Sequence, residues 1–95
     1  MDNKKIEENV VYVGSKPPGV YAFSVKTIFN KGIGEVILKA RGRSIITAIN
    51  IVEFMKRNKQ LEIKDIKISS TEHFKHEDEK EKIFVSSIEI TVKNI

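Results

Sequence analysis

The sequence predicts an α/β domain of the α+β two-layer sandwich kind. Its order is β-α-β-α-β-β: a four-stranded mixed sheet with two helices on one face and a protruding hairpin formed by the last two strands. Three observations predict it. Two segments with helical apolar spacing, 20–31 and 44–58, alternate with short β-branched runs. Glycines stand where the first helix must stop and where the second must begin. The last 35 residues hold two alternating strand patterns and neither glycine nor proline, so a long paired hairpin is the economical reading.

Residues 1–9 are polar and read as a flexible N-terminal tail, with one domain over 10–95. Val10-Val11-Tyr12-Val13 is β-branched and aromatic and ends at Gly14, which predicts a short first strand. Ser15-Lys16-Pro17-Pro18-Gly19 is a turn, and Pro18 or Gly19 opens the first helix because proline suits a first helical position. Tyr21, Val25 and Ile28 form its apolar stripe, with Ala22 and Phe29 beside it. Gly32 and Gly34 end it. Glu35 to Ala40 is the second strand, and its continuous apolar centre predicts cover on both faces.

Arg43 or Ser44 begins the second helix, with Ser44 as N-cap. Ile45, Ala48, Ile49, Val52 and Met55 form its core stripe. Ile46, Ile51 and Phe54 widen that stripe past half a turn, more than one sheet contact in so small a protein needs. Either a long arm or a second subunit covers the excess; the subunit is the favoured cover, with Ile46, Ile51 and Phe54 at the dimer interface. Leu61 to Thr71 is the third strand. Ile66 and Ile68 share one face, while Leu61 and Ile63 have the opposite parity, so a bulge is expected near Lys64. Ile83 to Lys93 is the fourth strand, with Ile88, Ile90 and Val92 inward. Both strands are expected to run past the core as an arm over 71–84 with a mobile tip.

Composition narrows the function. No cysteine is present among the 95 residues, so neither a disulfide nor a thiolate is available. No apolar run reaches the ~18 residues of a membrane span, and the first residues lack an apolar signal core. The expected location is cytoplasmic. Net charge is +4, and its distribution is uneven. Of 17 basic and 13 acidic residues, three and five fall within 72–82, leaving the remainder at +6. A basic body suits a polyanion.

Catalytic constellations are lacking: serines stand without a nucleophile motif or a paired histidine, so no enzyme activity is expected. His73 and His76 would point to opposite faces of a strand, so no metal site is expected, and no cofactor or small-molecule substrate either. The Glu77-Asp78-Glu79 cluster reads as a solvated tip. Gly32-Ile33-Gly34 follows a helix instead of opening one, which excludes a dinucleotide loop. The informative charge lies in two turns, at Lys16 and at Arg41-Gly42-Arg43. If the first two strands are adjacent and parallel, both turns lie at one edge of the sheet with both helix starts. Lys16, Lys39, Arg41 and Arg43 would then form one cationic patch beside Tyr21, suited to phosphates along a nucleic-acid backbone.

Over residues 10–93 the sequence resembles the Alba family, the small basic chromatin proteins of archaea and their eukaryotic relatives. The matching stretches are Val10-Val11-Tyr12-Val13-Gly14-Ser15-Lys16-Pro17, the block from Asn30 to Ile45 that contains Lys39-Ala40-Arg41-Gly42-Arg43, and Val85-Ser86-Ser87-Ile88-Glu89-Ile90. The resemblance implies a homodimer that binds double-stranded DNA, and RNA as a further partner, in association with the chromosome or nucleoid. It implies phosphate contacts through Lys16, Arg41, Gly42 and Arg43, and minor-groove contact by the arm with its Lys75, Lys80 and Lys82. It also implies a dimer interface made by the second helix and the last two strands. The chain departs from the family pattern at three places. Ser15 stands where a lysine subject to acetylation is common, and Lys59 where a phenylalanine stacks dimers. The arm tip is acidic through Glu77, Asp78, Glu79 and Glu81, which predicts weaker, more salt-sensitive DNA binding carried mostly by the body. Two other readings stay open: an RNA-binding ribonucleoprotein component similar to RNase P-associated subunits, and an oligomerising adaptor whose acidic arm binds a basic partner.

Overall fold

The computed structural model describes the backbone of residues 8–75 and 78–95 and the side chains of 8–72 and 82–95. In chain order the elements are β1 (Val10–Tyr12), α1 (Pro18–Asn30), β2 (Glu35–Arg41), α2 (Ser44–Arg57), β3 (Leu61–Lys75) and β4 (Asp78–Asn94). The strands form one sheet in the order β1-β2-β4-β3. β1 runs parallel to β2, and the other two pairings are antiparallel. The carbonyl of Asn9, in the expected tail, already accepts the N–H of Ile37 at 2.8 Å; the rest of that tail, 1–7, lies outside the described residues.

The two helices lie side by side on one face. α1 covers β1 and β2, while α2 covers β2, β3 and β4. The stripe read for α1 is the observed one: Tyr21, Val25, Ile28 and Phe29 are buried. On the sheet, Val11, Leu38 and Ile90 sit in register across three strands and are all buried. Leu38 is at the centre of this layer, and truncation to alanine there would cost about 2–5 kcal/mol.

Four expectations change. β2 is covered on one face only: Val36, Leu38 and Ala40 are buried, while Ile37 and Lys39 on the other side are half-buried among open-face neighbours. Ser44 is the first residue of α2 and not its cap. Arg43 holds the cap position in a helical conformation, without a side-chain capping bond. The core face of α2 is rotated toward α1, so Ile51 is 2% exposed and belongs to the chain's own core, whereas Ile49 is exposed. Phe54, the third expected interface residue on the widened arc, lines a groove between α1 and α2 with Pro18, Ala22 and Asn50. It is thereby turned away from β3.

α2 ends in a Schellman motif. The N–H of Gln60 reaches the carbonyl of Met55 and that of Lys59 reaches Lys56, both at 2.9 Å. Lys59 supplies the left-handed residue this closure needs, at φ +56.

The expected bulge is present. The register of β3 against β4 shifts between Ile63 and Asp65, and Lys64 reaches over to pair with Glu35. After the shift Ile66 and Ile68 fall on the helix side, opposite Ile90 and Ile88. The ladder continues to Lys75 opposite Asp78, well past the pairing of Arg41 with Ser87 that ends β2. Six residues beyond that level, at about 3.4 Å each, give an arm of roughly 20 Å. The expected mobile tip lies outside the described residues.

Candidate nucleic-acid interface

Parallel pairing of β1 with β2 places the β1–α1 and β2–α2 turns at the same edge of the sheet, as the sequence reading required. The hairpin arm projects past that edge.

Each turn is fixed by a bond to the body. In the first, the hydroxyl of Tyr21 accepts the N–H of Gly14 at 2.9 Å and the N–H of Lys16 at 3.0 Å. Tyr21 itself is 7% exposed, held in the core by α1. Read from the sequence as part of the binding patch, Tyr21 is buried and positions the turn that carries Lys16. Lys16 itself is exposed.

In the second turn Gly42 takes φ +56, and its N–H donates to the carbonyl of Ser86 at 2.9 Å. That bond ties the turn to β4 and removes the Gly42 N–H from those a phosphate could use. The N–H groups of Arg43 and Ser44, at the open end of α2, have no backbone acceptor among the described residues. Arg41 and Arg43 are exposed on either side of Gly42. Among the described residues neither is in an ion pair, and the same holds for Lys16.

Lys39 differs. Its side chain is 31% exposed, and its Nζ lies 3.8 Å from Glu89 and 5.9 Å from the ring centroid of Tyr12. It belongs to the open face of the sheet more than to the edge. On the arm, Lys82 pairs with Glu72 at 3.0 Å. The side chains of Lys75 and Lys80, the acidic tip and both histidines lie outside the described residues.

Sequence reasoning missed two groups. Tyr12 is 68% exposed on the open face. The signal was present: Val11 and Val13 are inward, so period two sends the ring out. The second group is apolar. Ile49, on the flank of α2 away from α1, joins Ile66, Ile68 and Phe84, exposed residues on the helix side of β3 and β4. Their signal was masked by the bulge, which decides the parity of Ile66 and Ile68.

Fold and edge together define a small two-layer domain whose pinned cations, unpaired among the described residues, stand beside a projecting hairpin. The Alba family model matches residues 9–70. The DNA/RNA-binding protein Alba of Methanocella arvoryzae is 43% identical over 89 residues, spanning 92% of this chain and 91% of its own. The DNA/RNA-binding protein Alba 1 of Archaeoglobus fulgidus is 45% identical over 65 residues, 66% of this chain and 73% of its own. Among solved structures, Alba from Thermoplasma volcanium superposes with a TM-score of 0.77 at 30% identity, covering 90% of this chain and all of that one. ALBA1 from Trypanosoma brucei gives the same TM-score at 25% identity, covering 95% and 72%. The chain belongs to the Alba family.

Proposed function

We propose that this protein binds nucleic acid as a homodimer, holding the phosphate backbone of double-stranded DNA, and of RNA, at the Lys16 and Arg41-Gly42-Arg43 turns. The observation that carries this reading is the pair of exposed arginines around a pinned Gly42, with no carboxylate paired to them among the described residues. Guanidinium forks on an anchored turn meet phosphate oxygens without first breaking an ion pair. The names of the relatives, DNA/RNA-binding proteins, support the same class of ligand. Such contacts position a backbone and carry no base sequence. Association with the chromosome is the cellular expectation that goes with this reading. Among the described residues no helix is long and apolar enough to cross a membrane.

The homodimer is supported by exposed apolar surface. Ile49, Ile66, Ile68 and Phe84 are exposed on one side of the domain, continuous with the helix-covered layer, and Ile46 is exposed on α2. A second copy placed there would duplicate the basic edge and the arm. Ile68 is 76% exposed in the single chain, so Ile68→Lys would leave the fold intact while placing a charge in the contact.

The test is a titration of duplexes of increasing length, and of RNA of matching length, at several salt concentrations. The logarithm of affinity should fall linearly with the logarithm of salt, and the slope counts phosphate contacts. Sedimentation of Ile68→Lys should show a monomer where the unaltered chain shows a dimer. Binding that ignores salt would overturn the phosphate reading, and an unaltered chain that sediments as a monomer would overturn the dimer.

A further inference from the structure

The face of the sheet opposite the helices is built unlike an ordinary solvated surface. Tyr12, Lys39, Glu89 and Lys67 stand in one row across the four strands, and Arg41, Ser87 and Ser69 stand in the next. Tyr12 projects from β1 between two buried valines and contributes little to the core. Among the described residues its ring is the large aromatic surface on this face. Beside it, Tyr12, Gly14, Lys39, Arg41, Ser69 and Ser87 border a shallow cleft of about 640 Å³, a size that suits a nucleotide-sized ligand.

We propose that this open face is a second nucleic-acid site, in which Tyr12 stacks an unpaired nucleotide of a single strand while Lys39 and Arg41 hold its phosphates. The inference rests on the nucleic-acid reading above and adds to it the class of strand and the residues that select it. A base inside a duplex has no free π-face to offer, whereas one in a single strand does. Four-stranded sheets with aromatic side chains on the open face use this geometry.

The cations are placed for it. Lys39 Nζ is already 5.9 Å from the ring centroid. Its pairing with Glu89, at 3.8 Å between partly exposed side chains, is long and weak, so the ammonium can turn to a phosphate at little cost. Arg41 follows Lys39 on the same face of β2, roughly 7 Å further along the strand. Glu89 also lines the cleft, on β4 beyond Lys39, and its carboxylate is the one Lys39 pairs with. Ser69 and Ser87 sit directly opposite each other below Arg41, and their hydroxyls can donate to or accept from a ribose 2′-OH.

The test uses the full chain with 12-nucleotide RNA and DNA strands carrying one 2-aminopurine, and a 20-base-pair duplex, for the unaltered protein, Tyr12→Ala and Tyr12→Phe. Tyr12→Ala should weaken single-strand binding about tenfold while leaving the duplex within about twofold. The salt slope should not change, because no phosphate contact is lost. Tyr12→Phe should bind single strands like the unaltered protein, and quenching of 2-aminopurine on binding should disappear only in Tyr12→Ala. Tighter binding of RNA than of DNA supports use of the 2′-OH by the serines; equal binding supports stacking alone. If Tyr12→Ala leaves single-strand affinity or quenching unchanged, or weakens strand and duplex equally, the stacking site is wrong while the phosphate edge stands. If the unaltered chain binds neither strand nor duplex, both readings fall.

Discussion

The basic edge and the arm carry the same kind of residue to opposite effect. At the edge, Lys16, Arg41 and Arg43 sit on turns locked to the body by Tyr21 and by the Gly42–Ser86 bond, and among the described residues they have no carboxylate partner. On the arm, the one candidate lysine whose side chain is described, Lys82, is paired with Glu72 on the neighbouring strand, and the arm sequence is acidic overall. A charge that is fixed and unpaired loses little entropy and little solvation on meeting a phosphate. A charge already neutralised on a two-stranded ribbon supplies reach but little attraction. The body is therefore where affinity should reside, and the arm is where it should be limited.

The largest break in that comparison should come from Arg41→Ala combined with Arg43→Ala. Duplex affinity should drop about 10- to 100-fold at moderate salt, and the salt slope should shrink by about two contacts per protomer. Filter or anisotropy titration across salt reads both, with circular dichroism unchanged. Next is Tyr21→Phe, which removes the acceptor of two backbone N–H groups without touching the surface. It should cost about 1 kcal/mol of stability and, by loosening the Lys16 turn, weaken duplex binding about threefold, as denaturant melts and the same titration would show. Glu72→Gln should act in the other direction. It frees Lys82 and removes a negative charge, raising low-salt affinity about twofold, with the gain gone at high salt where exposed charges are screened. Smallest is Lys59→Gly. Lys59 is cationic but stands at the far edge, in a left-handed conformation that glycine adopts more cheaply. Duplex affinity should not change, and stability should rise by up to about 1 kcal/mol.

Much of this was legible in the sequence because the signals were local. The β-branched runs, the proline opening α1 and the glycine at φ +92 after it each act over a few residues, and they set the element order. The basic edge was legible once β1 and β2 were taken as parallel, since both turns follow from that one choice. What escaped was non-local. Which flank of α2 is buried depends on how α1 leans against it, so Ile51 and Ile49 exchanged places. The role of Tyr21 depends on a hydroxyl reaching back to residues five and seven positions earlier, which no periodicity reports. Phe54 was read as apolar surface of one kind, yet it borders the α1–α2 groove and not the side that β3 shares. The ion pair on the arm, between Glu72 and Lys82, is a matter of cross-strand register, and register follows from the bulge.

That bulge also makes the arm a ruler with coarse graduations. One surplus residue at Lys64 sets which side of the ribbon Ile66, Ile68 and the β3 positions up to the second register shift, between Phe74 and Lys75, face. Past the level of Ser69 and Ser87, where β2 ends, β3 and β4 pair only with each other, so adding two residues to each there would lengthen the reach by about 7 Å and preserve every facing. A single residue added to one strand would turn the apolar positions to the wrong side. Reach in this domain can thus change in steps of two residues, while the basic edge stays where the parallel pair puts it.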